Sequence, residues 1–334
     1  MIQKSIRILK DLQYPTGLFA ASSMNVKTGY NLSWIRDNIY ESLGMEAIKD
    51  FRALKKTFRA LLDILLKHEY KIDWAIKEKP QHKYQYIHAR IHPITFEEIH
   101  EDWGNKQNDA VGALLFKIGD LESKGIRIIR DEDDLKILQK LVLYLKSIEY
   151  WHDKDNGMWE ENEEIHASSV GACVAGLKKI SKIIDVPPEI IQKGEETLRR
   201  LLPRESETKE SDLALLSLIY PYNIVTPEQR DAILKNVEEK LTRQRGVIRY
   251  KEDQYYNNGV GEAEWCMGFP WLAIIYKQLN NPAKYAYYTR RTLQIINSRG
   301  EIPELYYAKS EKHNDNTPLG WAQALFVVAQ VEDV

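Results

Sequence analysis

The sequence predicts an all-α fold, an (α/α)6 toroid in which a double ring of about twelve helices forms a single domain over residues 1–334. Three observations carry this. Apolar residues recur at 3.6-residue spacing in about twelve segments, while period-two alternation is almost absent. These segments alternate in character, one amphipathic and charged, the next apolar and rich in small residues. No Gly-, Ser- or Pro-rich linker and no shift in composition divides the chain.

In chain order the helices fall near 2–13, 36–48, 50–70, 105–119, 132–150, 166–184, 188–202, 210–219, 227–243, 260–279, 281–298 and 318–331. The first has charges breaking every apolar run, so it reads as an amphipathic helix and not as a signal peptide. The third opens Phe51-Arg52-Ala53-Leu54-Lys55-Lys56, a half-exposed pattern, whereas the fourth carries Ala110-Val111-Gly112-Ala113-Leu114-Leu115. Asp131 before Glu132-Asp133-Asp134 starts the fifth, and Ser168-Ser169-Val170-Gly171-Ala172-Cys173 marks the sixth as buried. Pro187-Pro188-Glu189 opens the seventh and Thr226-Pro227-Glu228 the ninth; between them Leu213-Ala214-Leu215-Leu216 is apolar throughout. An exposed helix followed by a buried one, six times over, places the buried six inside.

Composition bounds the function classes. The formal charge is −2 with both signs interspersed, which suggests neither a nucleic-acid nor a membrane partner. No run of 18 apolar residues occurs, and the expected location is cytoplasmic. Cys173 and Cys266, each inside a helical pattern, form no disulfide framework and read as core. Eight tryptophans and nineteen tyrosines are the one excess; rings with polar tips suit a carbohydrate site as well as a core.

Polar chemistry collects at the outer-to-inner junctions and not at the return turns. The junctions read Trp34-Ile35-Arg36-Asp37; Asp102-Trp103-Gly104-Asn105-Lys106-Gln107-Asn108-Asp109; Trp159-Glu160-Glu161; Glu210-Ser211-Asp212; Arg249-Tyr250-Lys251-Glu252-Asp253; and Pro303-Glu304-Leu305-Tyr306. In a toroid all six lie at one end, so these residues converge on a single funnel.

Two carboxylates flanking a bond, one acid and one base, are the equipment of glycoside hydrolysis. Glu160 and Glu304 are the candidates, on roughly opposite sides of the ring. Room for a water between them favours inversion, for which carboxyl groups stand about 6.5–9.5 Å apart, over retention at about 5–5.5 Å. Glu160, beside an indole and next to Glu161, is expected to have a raised pKa and to act as general acid, with Glu304 activating the water. Glu163 and Glu164 read as a solvated acidic turn. Arg36 and Asp37 form either a helix cap with its ion pair or, with Tyr30 and Trp34, a clamp on sugar hydroxyls. Trp103, Gln107 and Asp109 face the same choice, and Arg249 with Asp253 reads as a surface bridge of little weight.

Other signals are weak. His88 and His92 stand four apart, but Pro93 argues against a helix and so against a metal site. Asp153-Lys154-Asp155-Asn156-Gly157 places its glycine one position early for a calcium loop. Gly259-Val260-Gly261 lacks a preceding strand and a third glycine. No metal or other cofactor is expected, and the sequence leaves the oligomeric state open.

The junction residues resemble those of glycoside hydrolase family 15, the glucoamylases, and of the related amino-terminal regions of phosphorylase kinase α and β subunits. The resemblance runs from Gly17 to the carboxyl end. Tyr30 with Trp34-Ile35-Arg36-Asp37 is similar to the family's Tyr-x3-Trp-x-Arg-Asp element, whose Arg-Asp pair holds the nonreducing glucose. Trp103-Gly104 with Gln107 and Asp109 resembles Trp-Gly-x2-Gln-x-Asp. Trp159-Glu160-Glu161 resembles the Trp-Glu-Glu element, which implies a general acid followed by a sugar-binding glutamate. Arg249-Tyr250-Lys251-Glu252-Asp253, with Asn257 and Pro270-Trp271, is similar to the stretch that shapes the leaving-group side, and Glu304 sits at the place of the base. The implied binding set is thus Tyr30, Trp34, Arg36, Asp37, Trp103, Gln107, Asp109, Trp159, Glu161, Arg249, Trp271 and Trp321.

The resemblance implies an inverting exo-acting α-glucosidase on α-gluco-oligosaccharides of the maltooligosaccharide, isomaltose or trehalose class. Gly157-Met158 replaces the acidic-aliphatic pair common before the tryptophan, and Leu305 replaces a common glutamine. The neighbourhoods of Glu304 and His166 look closer to the kinase subunits, so a non-catalytic glucan-binding regulatory module is the alternative. With no β-sandwich or starch-binding module in the sequence, raw starch is not the expected substrate.

Overall fold

The computed structural model describes residues 1–101 and 103–331; Asp102 of the second junction lies outside the described residues. Its helices are α1 (Ile2–Leu12), α2 (Ile35–Ala47), α3 (Phe51–Lys67), α4 (Glu69–Lys77), α5 (Asn108–Ser123), α6 (Glu132–Ile148), α7 (Ala167–Ile180), α8 (Pro188–Leu201), α9 (Pro227–Asn236), α10 (Gly268–Gln278), α11 (Pro282–Ile295) and α12 (Gly320–Gln330). A 3-10 segment, Leu213–Leu218, fills the place of one inner helix, and a π turn, Val237–Leu241, extends α9.

The toroid is an (α/α)6 double ring. Going round the inside, α2 packs on α5, α5 on α7, α7 on 213–218, that segment on α10, α10 on α12, and α12 back on α2. The helices α1, α3, α6, α8, α9 and α11 form the outer layer. The inner ones are buried along nearly their whole length: every residue of α5 from Asn108 to Leu121 is buried, while α8 buries only Ile190, Gly194, Thr197 and Leu198. That is the physical content of the alternation in the sequence. The small residues let two inner helices meet backbone to backbone. A side chain at Gly112 would strike the main chain of Ala172 and Cys173, and one at Gly176 would strike the carbonyl of Gly112.

Several expected boundaries move, and four of the moves have a clear local reason. The helix expected over 50–70 ends at Lys67, and a separate helix, α4, follows His68, which the sequence reading lacked. The segment 210–219 is short and 3-10 because Asp212 caps it and Pro221 follows it closely. Residues 260–267 are not helical, since Glu264–Trp265 pairs antiparallel with Leu305–Tyr306. The helix expected at 105 starts at Asn108, whose amide donates to Asp155 Oδ2 at 2.8 Å.

Strands are confined to the rim. β1 (Ser33–Trp34) pairs with β2 (Arg90–Ile91), and β3 (Glu264–Trp265) with β4 (Leu305–Tyr306). Long connections join outer to inner helices at this rim, as in 78–107 and 242–267, whereas return turns such as 48–50 are short. The funnel opens where the long connections gather. No helix among the described residues is long and apolar enough to cross a membrane.

Candidate active site

The rim connections enclose a cavity of about 270 Å³. Eleven of the fourteen sequence candidates line it: Tyr30, Trp34, Arg36, Asp37, Trp103, Trp159, Glu160, Glu161, Arg249, Glu304 and Trp321. Gln107 and Asp109 stand one layer behind, and Trp271 is not part of the lining. Trp271 is fully buried in α10; its indole donates to the carbonyl of Tyr220 at 2.8 Å and packs on Tyr40 and Trp321. Its apolar helical surroundings outweighed its neighbourhood in sequence, so it supports the floor instead of touching the site.

Arg36, at the start of α2, is the hub of one wall. Its Nη1 donates to Gln107 Oε1 at 2.8 Å and to Asp109 Oδ2 at 3.1 Å, and its Nη2 to Glu160 Oε1 at 3.2 Å. Gln107 donates to the same Glu160 oxygen at 2.8 Å, and the indole of Trp103 donates to Glu160 Oε2. Glu160 sits at φ 62°, a left-handed backbone unusual for a residue with a side chain. That turn sends the side chains of Glu160 and Glu161 to different partners.

Glu161 accepts from Arg249 Nη2 at 2.6 Å, Lys209 Nζ at 3.0 Å and Tyr250 Oη at 2.5 Å. Burial pushes its pKa up, but Arg249 and Lys209 with these hydrogen bonds hold it below the ordinary carboxylate value. The expectation that Glu161 and an indole face act on Glu160 through repulsion and desolvation therefore needs correction. Glu161 is compensated by its own cations, Trp159 sends its N–H to Asp212 Oδ1 at 2.7 Å, and Trp103 meets Glu160 with its N–H.

A second correction concerns Arg249 and Asp253. They form a buried bidentate pair, Nε to Oδ2 at 2.7 Å and Nη2 to Oδ1 at 2.6 Å, and not a surface bridge. The guanidinium lies 4.9 Å from the ring centres of both Tyr255 and Trp265, so one cation fixes an aromatic wall.

Glu304 closes the opposite side. It precedes β4, and its carbonyl accepts from Cys266, so the β3–β4 pairing sets its position. The side chain is buried and accepts at Oε2 from Asn314 and, at 2.8 Å, from Asn316. Burial raises its pKa above the ordinary value, against the hydrogen bonds of Asn316, Asn314 and Tyr30. Asp37 is pushed to about 7, chiefly by burial, with Arg36 opposing and Glu160 and Glu304 adding repulsion.

Sequence reasoning missed several contributors. Asn314 and Asn316 lie ten and twelve residues past Glu304, and no spacing signal marks them. Lys209, Tyr255 and Trp265 reach the site only through the fold. Arg90 was silent in sequence; β1–β2 pairing sets it opposite Trp34, and its guanidinium lies 4.8 Å from the Trp34 ring and 5.1 Å from the Trp103 ring.

A double helical ring with paired carboxylates, buried arginines and a wall of indoles in one funnel is the architecture of a glycosidase-type fold. The chain belongs to glycosyl hydrolases family 15, whose model matches residues 1–334. Among solved structures, a glycosidase variant in complex with glucose superposes with a TM-score of 0.84 at 17% identity, covering 98% of this chain and 94% of that one. The glucoamylase of Saccharomycopsis fibuligera gives 0.70 at 14% identity, covering 98% and 93%. A bacterial glucoamylase complexed with acarbose also gives 0.70, at 15% identity, covering 97% of this chain and 54% of that one.

Curated relatives include the phosphorylase b kinase regulatory subunit alpha, liver isoform, of Mus musculus, 27% identical over 393 residues. The probable alpha subunit of Caenorhabditis elegans is 24% identical over 389 residues. The alignments cover 95% and 94% of this chain but 31% of each relative, so the chain spans about a third of their length.

Proposed function

We propose that residues 1–334 act as one catalytic domain, an inverting exo-acting α-glucoside hydrolase. It releases β-glucose from nonreducing ends of soluble α-gluco-oligosaccharides in the cytoplasm. The observation that carries this reading is the pair of carboxylates, Glu160 and Glu304, lining one cavity with different partners. Glu160 is the general acid and Glu304 the general base. Arg36 and Asp37 bind hydroxyls of the terminal sugar, Glu161 and Arg249 the leaving-group side, and the indoles supply stacking faces.

Glu160, held over the cavity by Arg36, Gln107 and Trp103, gives its proton to the glycosidic oxygen. Both asparagine amides hold Glu304 at Oε2, and its other oxygen takes the proton of the attacking water. The water oxygen bonds to C1 as the C1–O bond to the leaving sugar breaks on the opposite face, so configuration inverts. The raised pKa of Glu304 makes it a stronger base than an exposed carboxylate, at the cost of activity at low pH.

Proton NMR of fresh product from maltose, maltotriose, isomaltose and trehalose tests this. The first anomer detected is expected to be β-glucose; α-glucose appearing first overturns inversion. The kinship with regulatory subunits supports a second reading, glucan binding without turnover. Saturable maltooligosaccharide binding with no glucose released between pH 4 and pH 8 would select it.

A further inference from the structure

On the outer layer a groove of about 690 Å³ runs along α3, lined by Arg52, Lys55, Lys56 and Arg59 together with Arg130 and a single acid, Asp63. None of these residues lines the funnel. The α3 helix begins at the short 48–50 turn, at the end of the ring opposite the rim, so the groove is separate from the carboxylate site.

The four cations on α3 fall at i, i+3, i+4 and i+7 and therefore share one face. Arg52, Lys56 and Arg59 are exposed and Lys55 is half-buried. The acids near them are already occupied. Asp63 pairs with Arg130 at 2.6 Å, and Asp134, which also feels Arg59, pairs with Arg130 at 2.7 Å. Asp50, which feels Arg52, pairs with Lys10 at 2.9 Å. Counting all of these, six cations face three acids.

The face also sets like charges beside one another at 52/55, 52/56, 55/59 and 56/59, an arrangement that disfavours a helix. On α6 and α11 most of the charge is balanced or used. In α6, acids stand among the lysines. The acid-free α11 has Lys284 on Glu238, and Arg291 on the carbonyls of Arg243 and Gln244. On α3 none of the four neighbouring cations forms an ion pair among the described residues, and the acids that Arg52 and Arg59 feel, Asp50 and Asp134, are paired with Lys10 and Arg130.

We propose that this groove binds a small molecule carrying two or more linked phosphate groups. Arginine forks and lysine ammonium groups together suit phosphate oxygens. From residue 52 to 59 the face extends about 10 Å, longer than one phosphate group can contact, which points to a linked chain of them. The occupied acids at either end leave the positive charge centred on α3.

Titration of the intact protein with tripolyphosphate at constant ionic strength tests the assignment, by calorimetry and by thermal unfolding. The expected result is saturable binding and a rise in Tm that follows ligand concentration. Sulfate at the same ionic strength is expected to do neither. Arg52→Gln/Arg59→Gln is expected to weaken tripolyphosphate binding at least tenfold while leaving the ligand-free Tm unchanged or higher. Heats that never saturate, an equal effect of sulfate, or undiminished binding by the double variant would each overturn the proposal. The readout needs no turnover, so it stands apart from the glucosidase reading.

Discussion

Glu160 stands on a left-handed turn with its side chain 12% exposed and is gripped by an arginine, an amide and an indole, whereas Glu304 is 1% exposed, precedes a strand and is held by two asparagines. One carboxylate has a cation beside it and donors on both oxygens. The other is stripped of water, has both amides on one oxygen, and its pKa rises for that reason. The difference teaches that the two carboxylates are not interchangeable, and it gives each a distinct way to fail.

The largest effect is expected at the carboxylates themselves. Glu160→Gln and Glu304→Gln should each lower kcat by about 10² to 10⁴ on maltose. An activated substrate separates them: fluoride departs from α-glucosyl fluoride without protonation, so Glu160→Gln should recover most activity on it and Glu304→Gln none. Recovery by Glu304→Gln alone would reverse the two roles.

Next in size is Arg36, the cation in direct contact with Glu160. Arg36→Met leaves Asp109 buried without its partner, which should cost about 3–5 kcal/mol of stability, read as a fall in Tm. Activity of the folded fraction should fall about 10²-fold. A wild-type Tm would show that the Arg36–Asp109 pair does not brace this wall.

Much of this contrast was legible in the sequence, and its limits were physical. The helical period and the alternation of helix character anticipated the double ring, because burial of whole faces leaves a mark on every residue of a segment. Glu160, Glu161, Arg36 and Glu304 were marked by local motifs. Two kinds of feature were not. The two-residue strands that place Trp34, Arg90 and Glu304 are too short to show a period, and Asn314, Asn316 and Lys209 act through contacts far from any motif. The environment of Glu160 was misread because sequence adjacency of two carboxylates says nothing about where a turn at positive φ sends them.

The Glu304 side has its own, smaller probe. The Asn316 amide lowers the carboxyl's pKa against burial. Asn316→Ala removes that donor, so the pKa rises further; the base must be anionic to work, and activity is lost as pH falls through that value. The acid limb of kcat/KM should therefore move up by about one pH unit. An unmoved or downward-shifted limb would show that Glu304 does not set it.

The smallest expected effect tests whether the Glu160 wall is organised from behind. Arg90 touches neither candidate carboxylate. Its guanidinium lies between Trp34 and Trp103, is anchored by Glu101 at 2.6 Å, and is 4% exposed. Trp103 in turn donates to Glu160. Each cation–π contact is worth about 0.5–2 kcal/mol, so Arg90→Met should lower kcat/KM about 3- to 30-fold, and Arg90→Lys less. Because the effect acts through two indoles, tryptophan emission should shift in the same order as activity, while the acid limb set by Glu304 stays in place. Emission and kcat/KM both at wild-type values in Arg90→Met would mean that Trp103 holds its bond to Glu160 unaided.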